Sequence, residues 1–383
     1  MSKNIKSIAH IASRSINIGD GAVHYVLDDA LFSDKNFNVT KIDSLDYRGL
    51  KESELDEGYF SNYDLTVIGG GGMIDGGKSH TKSGIAFPVS PEDIVSTKNK
   101  FAIVGIGHNL FQNQEFHNKS ALINLVKSFE KRQFPFYVRN DGSLLRLKEE
   151  LNDELSNVEE ILDPGFFIGK NLKNSKSSKK VTIGIQLAND NLDKRLSFKN
   201  NSFSKFSYKK NDENTFIDIV SNLIEKINNE LDCNFLFLPH ISKDIELSGK
   251  VINSLNNETA RKKAFISRTY HPDNVLNFFQ QYKECSFNIV MRGHGAICST
   301  GMEIPTLALS THNKVEGFMN EMGLKDYSLR LKNFDIDYVS DFVLQNINND
   351  EMFYNQLKNK KEILEQDFFD KINKIKNLID ETK

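Results

Sequence analysis

The sequence predicts an α/β fold built from two domains. Short apolar runs alternate with helix-length amphipathic segments along most of the chain, which is typical of parallel sheets covered by helices. The chain has 383 residues, whereas a single hydrophobic core stops growing at roughly 250–300 residues. A polar stretch at residues 169–180, rich in Lys, Asn and Ser, separates two such patterns. Because it cannot bury apolar surface, we predict that it is a linker.

The first alternating pattern fills the N-terminal part of the chain. Its predicted strands are residues 5–12, 38–42, 65–68, 101–104, 136–138 and 161–162. Its predicted helices are residues 21–32, 120–131 and 144–155. We therefore place an N-terminal α/β domain at residues 1–170.

The second pattern begins after the predicted linker. Its predicted strands are residues 181–185, 234–238, 264–266, 287–291 and 306–309. Its predicted helices are residues 215–231 and 272–282. A second α/β domain at residues 180–345 follows from this pattern, and the charged, amphipathic residues 350–383 predict a long C-terminal helix.

Composition excludes some classes of partner. The net charge is −3 with 26% charged residues, so the chain has no basic face for nucleic acid. No run approaches the roughly 18 apolar residues of a membrane span. The cysteines Cys233, Cys285 and Cys298 lie in or beside apolar runs, which indicates core residues in a reducing cytoplasm.

The richest motif is Arg292-Gly293-His294-Gly295, directly after the apolar residues 287–290. It places a fixed cation and an imidazole at the carboxyl end of a strand, where open α/β sheets bind ligands. Histidine side chains titrate near neutral pH, which suits general acid or base catalysis. A structural role for His294 is the alternative.

Glycines follow two other predicted strands. Gly69 to Gly72 would let backbone N–H groups, those of Gly70 and Gly71 among them, approach a phosphate, a carboxylate or sugar hydroxyls. The alternative is a tight turn packed against a helix. The run Val104-Gly105-Ile106-Gly107-His108 repeats this design. Neither run is a dinucleotide fingerprint.

Polar residues between the first strand and the first helix allow two interpretations. Asp20 could cap the helix, whose first N–H groups need acceptors. Alternatively, Asn17 and Gly19 could shape a substrate loop.

Three further residues follow predicted strands. Arg139 could clamp a carboxylate or phosphate through its planar fork, or it could instead form a surface ion pair. His240, with Asp244 four residues on, and Lys314 could line the same kind of site, although solvated lysines are common. HExxH, CxxC and GxSxG motifs are absent, so we expect neither a metal site nor a serine nucleophile.

Taken in order, these motifs resemble the polysaccharide pyruvyl transferase family. The resemblance covers roughly residues 13–324 and rests on Asn17-Ile18-Gly19-Asp20, Gly69 to Ile74, Tyr137 to Asp141, Leu162-Asp163-Pro164, Arg292 to Ala296, Gly301 to Thr306 and Lys314 to Phe318. Two departures are Gly293, where the family more often has an aromatic or aliphatic residue, and Asn140, where an aspartate often stands.

The resemblance implies two Rossmann-like domains in a GT-B-like arrangement. It also implies transfer of pyruvate from phosphoenolpyruvate to a sugar of a cell-surface glycan or its lipid-linked precursor, which forms a ketal and needs no cofactor. By motif, donor binding falls on Arg139, Arg292 and Lys314, and catalysis on His294 and Arg292. Substrate contacts are expected from the strand-end residues, namely Asn17, Gly19, Asp20, Gly70, Gly71 and His240.

We expect a cytoplasmic enzyme, and peripheral contact with the inner membrane surface is left open, as are the acceptor and the oligomeric state. Two other functions fit the same layout. One is a GT-B glycosyltransferase that uses a nucleotide sugar. The other is a glycan-binding protein without turnover.

Overall fold

The computed structural model describes residues 6–14, 17–32, 39–50, 55, 57–74, 81–109, 116–151, 155–173, 180–196, 213–267, 274–311, 313–347 and 351–380. Every strand pairing within these residues is parallel. The predicted fold class is confirmed, since the chain forms two Rossmann-like α/β units and a long C-terminal helix. No helix among these residues is long and apolar enough to cross a membrane.

The chain divides into two compact units. Unit 1 comprises Met1–Ser15, Val23–Pro164 and Lys361–Lys383, and unit 2 comprises Ile16–Ala22 and Gly165–Lys360. These units differ from the domains expected at residues 1–170 and 180–345, because the start of the first helix groups with unit 2. The predicted linker also differs: its first residues belong to a 3-10 helix, Pro164–Asn171, and residues 174–179 lie outside the described residues.

Unit 1 contains a six-stranded sheet in the order β2-β1-β3-β4-β5-β6. Its strands are β1 Lys6–Ala12, β2 Val39–Asp46, β3 Leu65–Ile74, β4 Lys100–His108, β5 Phe136–Arg139 and β6 Val158–Ile161. Its helices are α1 Ile18–Phe32, which begins in unit 2, α2 Glu57–Phe60, α3 Pro91–Ser96, α4 Lys119–Lys131 and α5 Ser143–Leu151. The strand order reverses between β1 and β3.

Unit 2 contains a six-stranded sheet in the order β12-β11-β10-β7-β8-β9. Its strands are β7 Thr182–Gln186, β8 Asn234–Phe237, β9 Ala264–Ile266, β10 Phe287–Val290, β11 Thr306–Ser310 and β12 Ser328–Arg330. Its helices are α6 Leu192–Leu196, α7 Glu213–Glu230, α8 Ser242–Ser254, α9 Asn257–Lys262, α10 Val275–Lys283, α11 Gly293–Gly301, α12 Asn313–Glu321 and α13 Ile336–Ile347. The C-terminal helix α14, Glu351–Asp380, begins in this unit.

The order in unit 2 is that of a dinucleotide-binding sheet, whose topological switch point lies between its first and fourth strands. Those strands are β7 and β10. Open α/β sheets bind ligands at this point because the adjacent crossovers depart to opposite faces and leave a crevice. The motif that begins at Arg292 follows β10 and therefore lies at the switch point of unit 2.

Two strands of unit 1 extend beyond their predicted ends. The glycines Gly69 to Gly72 lie within β3, and the pairing of β3 with β4 becomes irregular after Gly71. Positive φ angles at Gly70 (82°) and Gly71 (94°) allow this irregularity. The four glycines therefore belong to a distorted strand and do not form a separate turn.

Lys371 connects the C-terminal part of α14 to the sheet of unit 1. Lys371 is 7% exposed. Its ammonium lies 2.7 Å from both carboxylate oxygens of Asp367 and 3.6 Å from the Glu159 carboxylate. It also lies 5.7 Å from the centre of the Tyr137 ring. The lysine thus joins the helix to strands β5 and β6 through both charge and its apolar stem.

Replacing Lys371 with alanine should lower the free energy of unfolding by about 1–2 kcal/mol, because the packed stem and the ion pairs are lost together. Chemical denaturation followed by circular dichroism measures this change. Lys374→Ala, at an exposed position on the same helix, is the control and should have little effect. Equal stability of the two variants would contradict the assigned role.

Candidate functional site

The carboxyl ends of β7 and β10 in unit 2 are held together by Gln186. Its side-chain oxygen accepts hydrogen bonds from the backbone N–H groups of Met291 (3.1 Å) and Arg292 (2.7 Å). Its amide nitrogen donates to the carbonyl of Leu187 at 2.6 Å. Gln186 is fully buried, so these bonds fix the path of the chain from β10 into α11.

Arg292 is the N-cap residue of α11, and two carboxylates bind its side chain. Asp244 accepts from Nε at 2.8 Å and from Nη2 at 2.6 Å, while Asp190 accepts from Nη2. The edge of the Arg292 guanidinium formed by Nε and Nη2 therefore binds Asp244. Nη1 makes no hydrogen bond to any described residue.

A second arginine completes this charged cluster. Arg195 donates from Nη2 to the Asp190 carboxylate at 2.9 Å and from Nη1 to the Thr311 hydroxyl at 2.9 Å. The cluster thus joins the segments that follow β7, β8, β10 and β11. Burial alone would raise the pKa of Asp190, but the charges of Arg292 and Arg195 outweigh it and hold that pKa below its ordinary value.

His294 packs against the first turn of α1. A β-carbon added to Gly19 would lie 2.7 Å from Cβ and 2.9 Å from Nδ1 of His294, and 3.0 Å from Nδ1 of His240. The two distances to His294 are shorter than real β-carbons show, and the distance to His240 is tighter than most real contacts of a β-carbon. Asp20 also faces His294, with 3.4 Å between its carboxylate oxygen and Nδ1. Only glycine at position 19 allows both imidazoles to approach the helix.

His240 is fully buried, and its Nε2 lies 2.8 Å from the Tyr282 hydroxyl. Burial, together with the charges of Arg292 and His294, lowers the pKa of His240 well below its ordinary value, so the ring is neutral. Burial raises the pKa of Tyr282, which keeps its proton. Donation of that proton to Nε2 leaves the fewest unsatisfied groups, which assigns the His240 proton to Nδ1.

The first turn of α1 differs from the prediction. Gly19 and Asp20 lie inside the helix, and Asn17 caps it by accepting from the Gly19 N–H at 3.0 Å. The N–H of Ile18 donates to the carbonyl of His240 at 3.2 Å. Asp20 therefore does not act as the N-cap, because the helix begins three residues before the predicted position 21. From inside the helix, Asp20 faces His294.

Lys314 is the second residue of α12 and lies beside the Arg292 motif. Its Cε would be 3.9 Å from a β-carbon added to Gly293, and nothing else described lies within 4 Å of that point. Gly293 thus leaves open space next to the lysine. His312 lies outside the described residues.

In unit 1, Gly70 packs against α1. An added β-carbon would lie 2.7 Å from Cγ1 of Val23 and 3.1 Å from Cε1 of His24. Below it, His10 lies 3.2 Å from the carbonyl of Gly69 through Nε2 and 2.5 Å from Asp28 through Nδ1. These contacts support the packing interpretation of this glycine run, while the predicted ligand contacts of Gly70 and Gly71 stay predictions.

Arg139 is also buried between carboxylates. It is 3% exposed, with Nη2 3.0 Å from Asp141 and Nη1 3.4 Å from Asp163. A β-carbon at Gly107 would occupy the place of the Arg139 guanidinium. The second glycine run is thereby explained: Gly107 makes room for the arginine that follows the neighbouring strand.

His108 ends the second glycine run and has no hydrogen-bond partner for either ring nitrogen among the described residues. Burial is the main cause that lowers its pKa to about 4, so it is neutral at physiological pH. Its ring packs edge-on against Phe116, with centroids 5.8 Å apart. This packing indicates a core histidine.

Most of the predicted site residues meet in unit 2, at the first turn of α1 and the carboxyl edge of the sheet. They are Asn17, Gly19, Asp20, His240, Arg292, His294 and Lys314. Gly70, Gly71 and Arg139 belong to unit 1. Among the described residues, no group of three or more His, Cys, Asp or Glu side chains could hold a metal ion.

Sequence reasoning missed four residues of the unit 2 cluster: Gln186, Asp190, Arg195 and Tyr282. Asp190 and Arg195 lie between the predicted strand at residues 181–185 and the predicted helix at residues 215–231, where no site residue was predicted. A signal was available for Asp190, since it follows β7 by four residues and the carboxyl ends of parallel strands meet at one edge. Tyr282 lies on an apolar helical stripe and gave no such signal.

Gly19→Ala should destabilise the protein by about 1–3 kcal/mol, because the methyl group forces His294 and His240 out of their positions. Denaturant-induced unfolding measures this cost. The control is Gly249→Ala on α8, where an added β-carbon meets nothing within 4 Å. The close packing at Gly19 would be contradicted by equal free energies of unfolding for the two variants.

Asp190 should make stability depend on pH. Its pKa is lower in the folded protein than the ordinary value of 3.8, so its stabilising effect is fully present above that value and is lost as the pH falls through the folded pKa. The stability difference between the wild type and Asp190→Asn should therefore shrink on acidification. Unfolding curves measured between neutral and acidic pH test this, and a difference independent of pH would count against it.

Several solved structures have a similar fold. A glycosyltransferase from Rickettsia africae is 13% identical, with 100% of both chains covered and a TM-score of 0.56. A putative UDP-N-acetylglucosamine 2-epimerase from Listeria monocytogenes is 11% identical, with 92% and 91% covered and a TM-score of 0.54. S. aureus MnaA, solved with UDP, is 14% identical, with 92% and 90% covered and a TM-score of 0.52. At these identities the likeness shows the fold alone.

The sequence comparisons are more specific. No curated protein matches the chain. The family model of the polysaccharide pyruvyl transferases matches residues 17–313, which includes every predicted site residue except Lys314. This range is well over half of the chain and confirms the resemblance given by its motifs: the chain belongs to the polysaccharide pyruvyl transferase family.

Proposed function

We propose that this protein transfers pyruvate from phosphoenolpyruvate to two hydroxyl groups of one sugar, forming a ketal and releasing phosphate. Membership of the family supports a transferase of this class. The observation that carries the proposal is the grouping of Arg292, His294 and Lys314 at one sheet edge of unit 2. That edge is the topological switch point, where α/β sheets bind ligands.

Phosphoenolpyruvate carries a carboxylate and a phosphate, so its site needs fixed cations. In the charged cluster, Arg292 and Arg195 are balanced by Asp190 and Asp244, and Lys314 lies beside this balanced group. We assign donor binding to Nη1 of Arg292 and to Lys314. Arg139 stays a proposed donor-binding residue, and its burial between two carboxylates means that its substitution would change stability as well as binding.

The proposed reaction proceeds in three steps. An acid gives a proton to the methylene carbon of phosphoenolpyruvate, which becomes a methyl group, and C2 becomes electrophilic. One sugar hydroxyl forms a bond to C2 and loses its proton. The bond from C2 to the phosphate oxygen then breaks, and the second hydroxyl closes the ketal while its proton leaves with phosphate.

We assign the proton transfers to His294. A positioned acid or base contributes about 10²–10⁴-fold to a rate. Asp20, 3.4 Å from Nδ1, would orient the ring, and Gly19 would let it approach α1. The neutral ring of His240 would keep a second positive charge away from His294.

We further propose that the acceptor is a sugar of a cell-surface glycan or of its lipid-linked precursor, and that the reaction takes place in the cytoplasm without a cofactor. The proposed substrate contacts remain Asn17, Gly19, Asp20, Gly70, Gly71 and His240. A nucleotide-sugar glycosyltransferase is the competing function, and products distinguish the two.

The test is to incubate the protein with phosphoenolpyruvate and a panel of glycan and lipid-linked acceptors. We expect release of inorganic phosphate only when an acceptor is present, and a new ketal methyl signal in the NMR spectrum. His294→Ala should lower turnover by about 10²-fold or more, because the positioned acid is lost.

His117→Ala is the matched control, since this histidine is exposed in unit 1, and it should keep wild-type turnover. Near-normal turnover of His294→Ala would contradict the catalytic assignment. Release of a nucleoside diphosphate from a nucleotide sugar, without phosphate release from phosphoenolpyruvate, would contradict the proposed function.

A further inference from the structure

The two carboxylates on Arg292 differ in how firmly they are held. Asp244 is fully buried. Besides the bonds from Arg292, each of its carboxylate oxygens accepts at least one hydrogen bond from a backbone N–H group. One oxygen accepts from the Asn189 N–H at 3.0 Å, and the other from the N–H groups of His240 (3.0 Å) and Ile241 (3.2 Å). Three backbone donors therefore prevent this carboxylate from turning away.

Among the described residues, only side chains bind the carboxylate of Asp190. Its side chain is 31% exposed, and Arg195 binds one of its oxygens at 2.9 Å while the other reaches Nη2 of Arg292. If Arg292 were released, Arg195 would still neutralise the Asp190 carboxylate. Asp190 can thus leave Arg292 without becoming an unpaired buried charge, whereas Asp244 cannot.

The guanidinium geometry shows which edge each carboxylate uses. Asp244 takes the Nε–H and the Nη2 hydrogen that lies beside it. The remaining Nη2 hydrogen points toward the Nη1 side, and Asp190 takes it. The outer edge of Arg292, formed by Nη1 and Nη2, therefore has its Nη2 donor bound to Asp190 and its Nη1 donor without a partner among the described residues.

An oxyanion that binds Arg292 in a bidentate manner needs this outer edge, because the other edge is closed by Asp244. The edge lies at the switch point between β7 and β10, and Arg292 keeps 11% side-chain exposure. Asp190 occupies half of the place that such a ligand would take.

We propose that Asp244 is a positioning residue that aims Arg292, and that Asp190 is an internal competitor displaced from its outer edge by a phosphate or carboxylate ligand. The inference rests on the proposed function in that the ligand would be the donor. Displacement transfers Asp190 wholly to Arg195 and leaves the ligand with a fixed, two-donor edge. Donor affinity is then set by the difference between two anions that compete for one arginine.

Isothermal titration of inorganic phosphate and, separately, of pyruvate tests the inference and distinguishes the two oxyanions. Asp190→Asn keeps the shape of the side chain and removes the competing charge, so the ligand that uses this edge should bind about tenfold more tightly. Asp244→Asn should weaken the same ligand by about tenfold, because Arg292 loses its aim. The two substitutions remove the same charge yet should act in opposite directions.

Two controls separate this effect from a general change of charge. Asp337→Asn removes one charge from an exposed position of unit 2, with 80% side-chain exposure, and should leave both affinities unchanged. In an Arg292→Gln background, Asp190→Asn should no longer strengthen binding. The competitor role is decided by the Asp190 variants alone, whether or not Asp244→Asn folds.

Unchanged or weaker binding of both oxyanions by Asp190→Asn would overturn the inference, as would tightening that persists in the Arg292→Gln background. Kinetics add a second measurement: Asp190→Asn should lower KM for phosphoenolpyruvate more than it changes kcat. Because oxyanion binding does not require turnover, tightening without any pyruvyl transfer would contradict the proposed function and support the competitor role. Transfer with unaltered oxyanion affinities would contradict the competitor role only.

Discussion

The buried carboxylate of Asp244 is the interaction on which the candidate site of unit 2 depends. It accepts backbone N–H groups from the loops after β7 and β8 and binds the side chain that follows β10. An isolated buried carboxylate is costly, and full hydrogen bonding makes it tolerable. The same bonds fix Arg292. Burial by itself would lower the pKa of Arg292, but the contacts with Asp244 raise it. Three strand ends thereby acquire one geometry.

A comparable arrangement occurs in unit 1. Arg139 lies between Asp141 and Asp163, and Gly107 provides the space for its guanidinium. In both units a strand-end arginine is paired with two carboxylates before any ligand is considered. Buried arginines need such partners because they stay charged. Their orientation is consequently fixed in advance by the protein, which is the preorganisation that the proposed donor-binding role requires.

The histidines of unit 2 differ in their surroundings, and this difference separates their roles. His240 is enclosed by aromatic rings and bound to Tyr282, so it is neutral with its proton assigned to Nδ1. His294 faces a carboxylate, Asp20, at the start of α1. Gly19 lies against both rings and allows the helix to begin beside them. Two residues of the same type thus become a fixed neighbour and a proposed proton carrier.

The sequence by itself determined the α/β class, the two sheets, most strand and helix positions, and the family, because alternating apolar runs and motif order are local or linear properties. It also identified most of the residues that gather in unit 2, since the carboxyl ends of parallel strands share an edge. The tertiary structure alone decided which charges are already paired. Asp190 and Arg195 lie about one hundred residues before Arg292, in a polar segment without a recognisable motif. Only folding brings the carboxylate of Asp190 into contact with the predicted cation, Arg292. The tertiary structure also decided that Asn17 caps α1. The start of this helix depends on His240, more than two hundred residues away, whose backbone carbonyl accepts the N–H of the first helical residue, Ile18.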